Sequence, residues 1–212
     1  MESLLQVLGD AWKRVTGITV FKLRGYHALV ACEVSMKCIE KTKKELDANM
    51  ELKLVRVNSE DKSILINLYE LYEYDFSKYT GRDIDRNGKF EVNIDYYWEG
   101  DERWNPFFIE VAGIIVGFIV VLFENMDTDP DPTHVIYDFM VLQKYRRSGI
   151  GRKAALEAFK MYKANWKISQ MESNLPARTF WRSVIEGFKG TNYTEHYVQD
   201  RKKYIQEFST RN

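Results

Sequence analysis

From Glu51 onward the apolar positions fall into short runs whose period switches between two and about 3.6 residues, the mark of strands alternating with helices. Leu52 to Val57 alternates as a strand, and Ser59 stands as the cap of a helix whose apolar face carries Ile64, Leu65, Leu68 and Leu71. Asp75 to Tyr79 reads as a second, short helix. Phe107 to Val111 and Ile114 to Phe123 read as two strands joined in a tight hairpin at Ala112-Gly113, with Gly117 marking a bulge. His134 to Leu142 is a further apolar strand. Gly149 opens a helix through Ala154, Ala155, Ala158, Phe159 and Tyr162, a strand follows near Trp166 to Met171, and a last helix starts after Pro176 and runs to about Ile185. The order predicts a single mixed α/β domain over residues 51–212. Residues 1–50 differ: Leu4, Leu5, Leu8, Trp12 and Val15 keep helical spacing, Ile18 to Leu23 reads as a strand, and His27 to Asn49 as a Lys-rich helix. They form a mainly helical N-terminal extension in which no chemistry is legible.

Composition narrows the class. A chain of 212 residues with 45% hydrophobic residues and 4 prolines can bury a real core, and a disordered or low-complexity chain is excluded. Because 31 Lys+Arg balance 31 Asp+Glu, no electrostatic argument for nucleic-acid binding arises. The most apolar run, Val111 to Phe123, holds 13 residues against the roughly twenty that a membrane helix needs, so no membrane partner is expected. Two cysteines, Cys32 and Cys38, build no disulfide framework or metal motif, and the charged N-terminus has no signal-peptide core, so a cytoplasmic location is expected.

Charge is distributed unevenly. Between Val141 and Gln170, Lys144, Arg146, Arg147, Arg152, Lys153, Lys160, Lys163 and Lys167 face a single acid, Glu157, whereas Val121 to Asp138 carries only acids. The basic stretch contains Arg146-Arg-Ser-Gly-Ile-Gly-Arg152, where a strand gives way to a glycine-marked helix start. A first helical turn leaves backbone N–H groups unpaired and carries partial positive charge, so a pyrophosphate fits there with flanking cations. There is no Gly-Lys-Ser/Thr of a nucleotide P-loop and no three-glycine dinucleotide pattern. The competing reading of the glycines is close helix–strand packing alone.

Arg146-Arg-Ser-Gly149-Ile-Gly151 resembles the acetyl-CoA signature of the GNAT superfamily of N-acetyltransferases. Gly113-Ile-Ile-Val-Gly117-Phe resembles that family's third-to-fourth strand hairpin, and Asn174-Leu-Pro-Ala177-Arg-Thr-Phe180-Trp181 its last characteristic helix, so the likeness spans about Glu51 to Gly187. It is closest to predicted bacterial acetyltransferases. The resemblance implies a mostly antiparallel sheet with splayed central strands, flanked by helices, in which Ile114 to Phe123 and His134 to Leu142 part to hold the pantetheine arm. It also implies contacts to acetyl-CoA from Phe139, Met140 and Val141, from the backbone of Arg146, Arg147, Ser148, Gly149, Ile150, Gly151 and Arg152, and from Asn174, with no metal. Transfer would be direct, an amine attacking the thioester while a base removes a proton. Asp138 and Glu124 are the candidate bases. Trp181 stands where the family often has a proton-donating Tyr, which leaves Tyr193 or Tyr197 as candidate acids or a thiolate that departs unaided. A non-catalytic acyl-CoA sensor or interaction module remains the alternative, and a homodimer stays open.

Two weaker patterns remain. Asp83-Ile-Asp85-Arg-Asn87-Gly88 reproduces half a calcium loop, but Ile94 fills the place of the bidentate carboxylate, so a surface Asx turn is expected. Tyr96, Tyr97, Trp98 and Trp104 accompany Asp95, Glu99, Asp101 and Glu102. Such a cluster either holds a cationic amine or packs as a lid. With the acids of Glu124 to Asp131 it favours a positively charged primary amine as acceptor.

Overall fold

The computed structural model of the chain describes residues 51–100 and 102–211. The reading of residues 1–50 as a helical extension lies outside them, as does Asp101.

Among the described residues seven strands form one mixed sheet: β1 (Leu52–Arg56), β2 (Trp104–Val111), β3 (Ile114–Glu124), β4 (Thr133–Val141), β5 (Asn165–Met171), β6 (Thr194–Val198) and β7 (Lys203–Ser209). Their order across the sheet is β1-β2-β3-β4-β5-β7-β6, and every pairing is antiparallel except β4 with β5. That one parallel step needs a crossover, supplied by helix α2 (Ile150–Met161). Helix α1 (Lys62–Thr80) precedes β2, and α3 (Leu175–Lys189) follows β5.

Apolar side chains fill both faces. Ile119, Val121, Ile136 and Trp166 pack with Ala154, Ala158 and Phe159 of α2 and with Trp181, Val184 and Ile185 of α3. On the opposite face Phe118, Val120 and Met140 pack with Leu65, Leu68 and Tyr69 of α1 and with Ile94 and Tyr97 of the segment before β2. The aromatic stretch at 96–104 thus serves partly as core, with Tyr97 buried against Trp104.

The hairpin at Ala112-Gly113 forms as the sequence indicates, both residues having positive φ (52° and 76°), the geometry of a two-residue turn matched to strand twist. Gly117 lies beside the bulge rather than in it: the ladder skips Val116, and a Cβ on Gly117 would meet the Met140 carbonyl oxygen at 2.1 Å.

Several expectations need correction. The helix at 62–80 is continuous, so Asp75 to Tyr79 is its last turns, and Ser59 belongs to a short 3-10 turn before it. Its inner face carries Leu65, Leu68 and Tyr69, while Ile64 and Leu71 are exposed. The two C-terminal strands β6 and β7 had no strong apolar signature. Most consequential is where the sheet opens. Ile114–Glu124 and Thr133–Val141 are paired along their length, from Gly117↔Val141 to Glu124↔Thr133, so these are not the strands that part. The gap opens instead between β4 and β5, which pair only at His134↔Trp166, Val135↔Lys167 and Ile136↔Ile168.

Candidate active site

The opening between β4 and β5 lies in a cleft of about 1630 Å³ whose walls come from α1, β4, β5 and the starts of α2 and α3. A bulge in β4 shapes one wall. Val120 pairs with Asp138 and Val121 with Ile136, which leaves Tyr137 as the extra residue and turns Asp138 and Met140 toward α1 while Phe139 and Val141 face α2 and α3.

Asp138 stands at the α1 side of this wall. Its Oδ2 accepts from the Tyr69 hydroxyl at 2.7 Å and its Oδ1 from the Tyr72 hydroxyl at 2.9 Å, and Tyr69 and Tyr97 share a further hydrogen bond of 2.6 Å. Burial pushes the Asp138 carboxyl above the ordinary carboxylate range; the two tyrosine hydrogen bonds pull it back in part, and the nearby Glu73 pushes it up again. Burial and the adjacent carboxylate in turn hold the Tyr69 and Tyr72 hydroxyls protonated, so both act as donors. Neither tyrosine figured in the sequence reading. Their spacing of three on one helix puts them on one face, a signal that was legible, but their shared partner lies 66 and 69 positions away.

The turn between β4 and α2 lines the same cleft. Gly149, at φ 85°, caps α2, and the first intrahelical bond runs from Lys153 N–H to the Gly149 carbonyl. The N–H groups of Ile150, Gly151 and Arg152 therefore have no intrahelical acceptor, as an anion cradle requires. Gly151 has a packing role as well: a Cβ there would lie 3.4 Å from the Phe180 ring and 3.5 Å from Phe139. The cations are less free than their number implies. Arg146 donates to the Val141 carbonyl at 2.7 Å and forms an ion pair with Asp75 of α1, locking the turn. Arg152 donates to the Ser183 carbonyl at 2.9 Å, and the Ser148 hydroxyl to the Tyr145 carbonyl at 2.6 Å. Asn174 caps α3, its Oδ1 accepting from Ala177 N–H at 3.1 Å, which leaves its Nδ2 to donate. Phe139, Met140, Val141, Arg146, Arg147, Gly149, Gly151, Arg152 and Asn174 all line the cleft.

Other candidates are placed elsewhere or otherwise engaged. Glu124 lines the cleft but forms an ion pair with Lys167 of β5. Tyr193 does not line it; its hydroxyl donates to Glu186 at 3.1 Å beside a separate shallow pocket. Tyr197 likewise donates to Glu172 at 3.0 Å. Trp181 is buried against Phe139, Phe159 and Phe180 at the cleft wall. Asp95 pairs with Lys62, Asp127 with Arg103 and Asp131 with Arg211, so these acids serve surface ion pairs rather than the cleft. Asp85 accepts from the backbone N–H groups of Asn87 and Lys89, the Asx turn that the loop was read as.

Comparison with known proteins agrees with this geometry. A family model described as Acetyltransferase (GNAT) family matches residues 66–184. Among solved structures, an acetyltransferase from Thermus thermophilus superposes with a TM-score of 0.56 at 13% identity, covering 76% of this chain and 97% of its own. A probable acetyltransferase from Staphylococcus epidermidis gives 0.52 at 14%, covering 76% and 99%. The ribosomal-protein-S18-alanine N-acetyltransferase of Escherichia coli gives 0.50 at 12%, covering 76% and 96%. No curated protein matches in sequence. Among the described residues no helix is long and apolar enough to cross a membrane.

Proposed function

Given that the chain belongs to the GNAT acetyltransferase family, whose members use acetyl-CoA, we propose that it moves an acetyl group directly onto a cationic primary amine that enters from the α1 side of the cleft. The observation that carries this reading is a half-buried, tyrosine-held carboxylate, Asp138, on the β4 wall of the same cleft that the bare start of α2 lines.

Acetyl-CoA supplies an activated thioester. The α2 start, from Arg147 to Arg152, receives its pyrophosphate, and the Asn174 Nδ2 and the β4 residues Phe139 to Val141 line the path of its arm. On the α1 side Asp138 takes a proton from the incoming ammonium, directly or through water, since only the neutral amine attacks. Its raised pKa makes it a stronger base than a surface carboxylate. Backbone N–H groups of β4 that face the gap stabilise charge on the thioester oxygen. The second proton, which the nitrogen still carries after attack, passes to the departing thiolate directly or through water; Trp181 has only an indole N–H and Tyr193 does not line the cleft, so neither supplies it.

The case for a cationic acceptor rests on the α1 side of the cleft, where Asp138 and Glu91 accompany the rings of Tyr72, Tyr96 and Tyr137, while Glu73 is held in an ion pair with Arg82. The test is release of free coenzyme A thiol from acetyl-CoA over a panel of cationic, neutral and anionic amines of similar size. Thiol release highest with cationic amines is expected. Acetyl-CoA binding without thiol release on any amine would overturn the reading in favour of a sensor, and preference for an anionic amine would overturn the acceptor class.

A further inference from the structure

A regular strand sends consecutive side chains to opposite faces, but at the bulge in β4 two neighbours share one. Asp138 faces α1, where Tyr69 and Tyr72 hold it. Tyr137, the extra residue, meets Trp104 at 4.8 Å and 82°, and Trp104 packs with the cluster on that same α1 side. The bulge thus sets a phenol ring directly beside the carboxylate, an arrangement that an unbroken strand does not make.

The ring is both reachable and held. Tyr137 is 48% exposed and lines the cleft. Trp104 stands edge-on to it and is fixed in turn by Tyr96 at 5.0 Å and Tyr97 at 5.1 Å, so the seat exists before any ligand arrives. The ring is also uncharged, because burial, the neighbouring Tyr96 and the Asp138 charge push its phenol up to about 12.

The floor next to it is apolar. Val135 alternates with Ile136, which packs toward α2 and α3, so Val135 lies on the α1 face, and Leu122 of β3 stands opposite it. Both line the cleft. Glu124, at the far edge of this floor, is neutralised by Lys167. From Asp138 outward the order is a carboxylate, an aromatic ring, two aliphatic side chains and a closed ion pair.

Such a row matches an amine with one charged end and an apolar body. Consecutive Cα atoms lie about 3.8 Å apart, so a linker of about two or three carbons spans the step from carboxylate to ring. A polyhydroxylated or doubly charged body would lie over this floor with its polar groups desolvated and unpaired. Building on the proposed function, we infer that Tyr137 determines acceptor specificity, its ring seating an aryl or alkyl group joined by a short linker to the amine that Asp138 deprotonates.

The experiment uses the full chain with three primary amines: phenethylamine, ethanolamine and putrescine. It follows thiol release from acetyl-CoA and, by calorimetry, amine affinity in the presence of coenzyme A. Wild-type kcat/KM is expected to be about tenfold higher for phenethylamine than for the other two, as burial of a ring predicts. Tyr137→Ser should remove about tenfold from phenethylamine, mostly through KM, and change ethanolamine by less than about twofold, with coenzyme A affinity unchanged. Tyr137→Phe should keep the wild-type preference. A wild-type protein without preference for phenethylamine would overturn the inference, and this result stands even if thermal melts show that Tyr137→Ser does not fold. Equal losses on both amines, or a loss in Tyr137→Phe as large as in Tyr137→Ser, would also overturn it, assigning the residue to the shape of the bulge or to its hydroxyl. Absence of thiol release with every amine would refute the proposed function instead; the calorimetric ranking of the amines still reads the seat, and a ranking independent of Tyr137 would overturn it.

Discussion

A carboxylate that accepts from two phenols is pulled both ways, and at Asp138 burial wins: its folded pKa is raised although each tyrosine lowers it. As a base it works only when ionised, so kcat/KM should fall as the pH drops through that raised value, above the roughly 3.9 of a free aspartate. Asp138→Asn should cost about a hundredfold in kcat/KM and abolish that acid limb, whereas a structural role would lower stability and leave the pH profile in place. Tyr72→Phe removes one of the bonds that favour the ionised form, so the same limb should move to higher pH; a shift to lower pH, or none, would detach Tyr72 from the titration. At Gly117 the argument is steric. Gly117→Ala sets a methyl against the Met140 carbonyl and should destabilise the protein by about 1–3 kcal/mol, read from denaturant unfolding.

At the level of elements the C-terminal half of the cleft depends on how α3 begins. Asn174→Ala removes the cap on Ala177 N–H and should lower stability by about 1 kcal/mol, a fall in Tm of roughly 2–4 °C, and weaken coenzyme A as well if Nδ2 contacts it. A loss of affinity without any loss of stability would contradict the cap. The elements differ in how far they could be read from sequence. The Ala112-Gly113 hairpin and the Gly149 helix start were legible because backbone sterics alone dictate them, and Asp138 was legible as an acid on an otherwise apolar strand. Helix α1 was read with its face turned, because Ile64 and Leu71 count as apolar wherever they point, while Tyr69 and Tyr72 show their use only once β4 arrives beneath them. Strands β6 and β7 escaped notice because their inward positions include Glu195 and Gln206, polar residues that bond to each other. The place where the sheet parts is a matter of pairing between distant segments, and no local pattern encodes it.

For the whole molecule, zero net charge hides a basic stretch wrapped around the α2 start. Affinity for coenzyme A should therefore fall as salt rises; constancy between low and high ionic strength would remove these cations from binding. A second effect concerns the point where β4 and β5 meet. His134 is packed at tilted angles among Phe123, Tyr162 and Trp166, its Nδ1 donating to the Pro132 carbonyl at 3.0 Å, and burial holds its pKa below the ordinary value. The folded protein thus binds fewer protons there than the unfolded chain once the pH is below about 6.5, so acidification from pH 7 to 5 should erode stability, and His134→Gln should reduce that loss. If both proteins lose the same Tm over that range, His134 does not contribute. The β4–β5 joint is only three residue pairs long, yet it links a four-stranded sheet half, β1 to β4, to a three-stranded one, β5 to β7. It is a hinge pin. Slow amide hydrogen exchange should mark residues 134–136 and 166–168 with or without ligand, while the gap-facing amides of 137–141 and 169–171 exchange quickly until coenzyme A bridges the two halves. The coenzyme would then act as the missing part of the ladder, holding shut a sheet that its own backbone closes at one end alone.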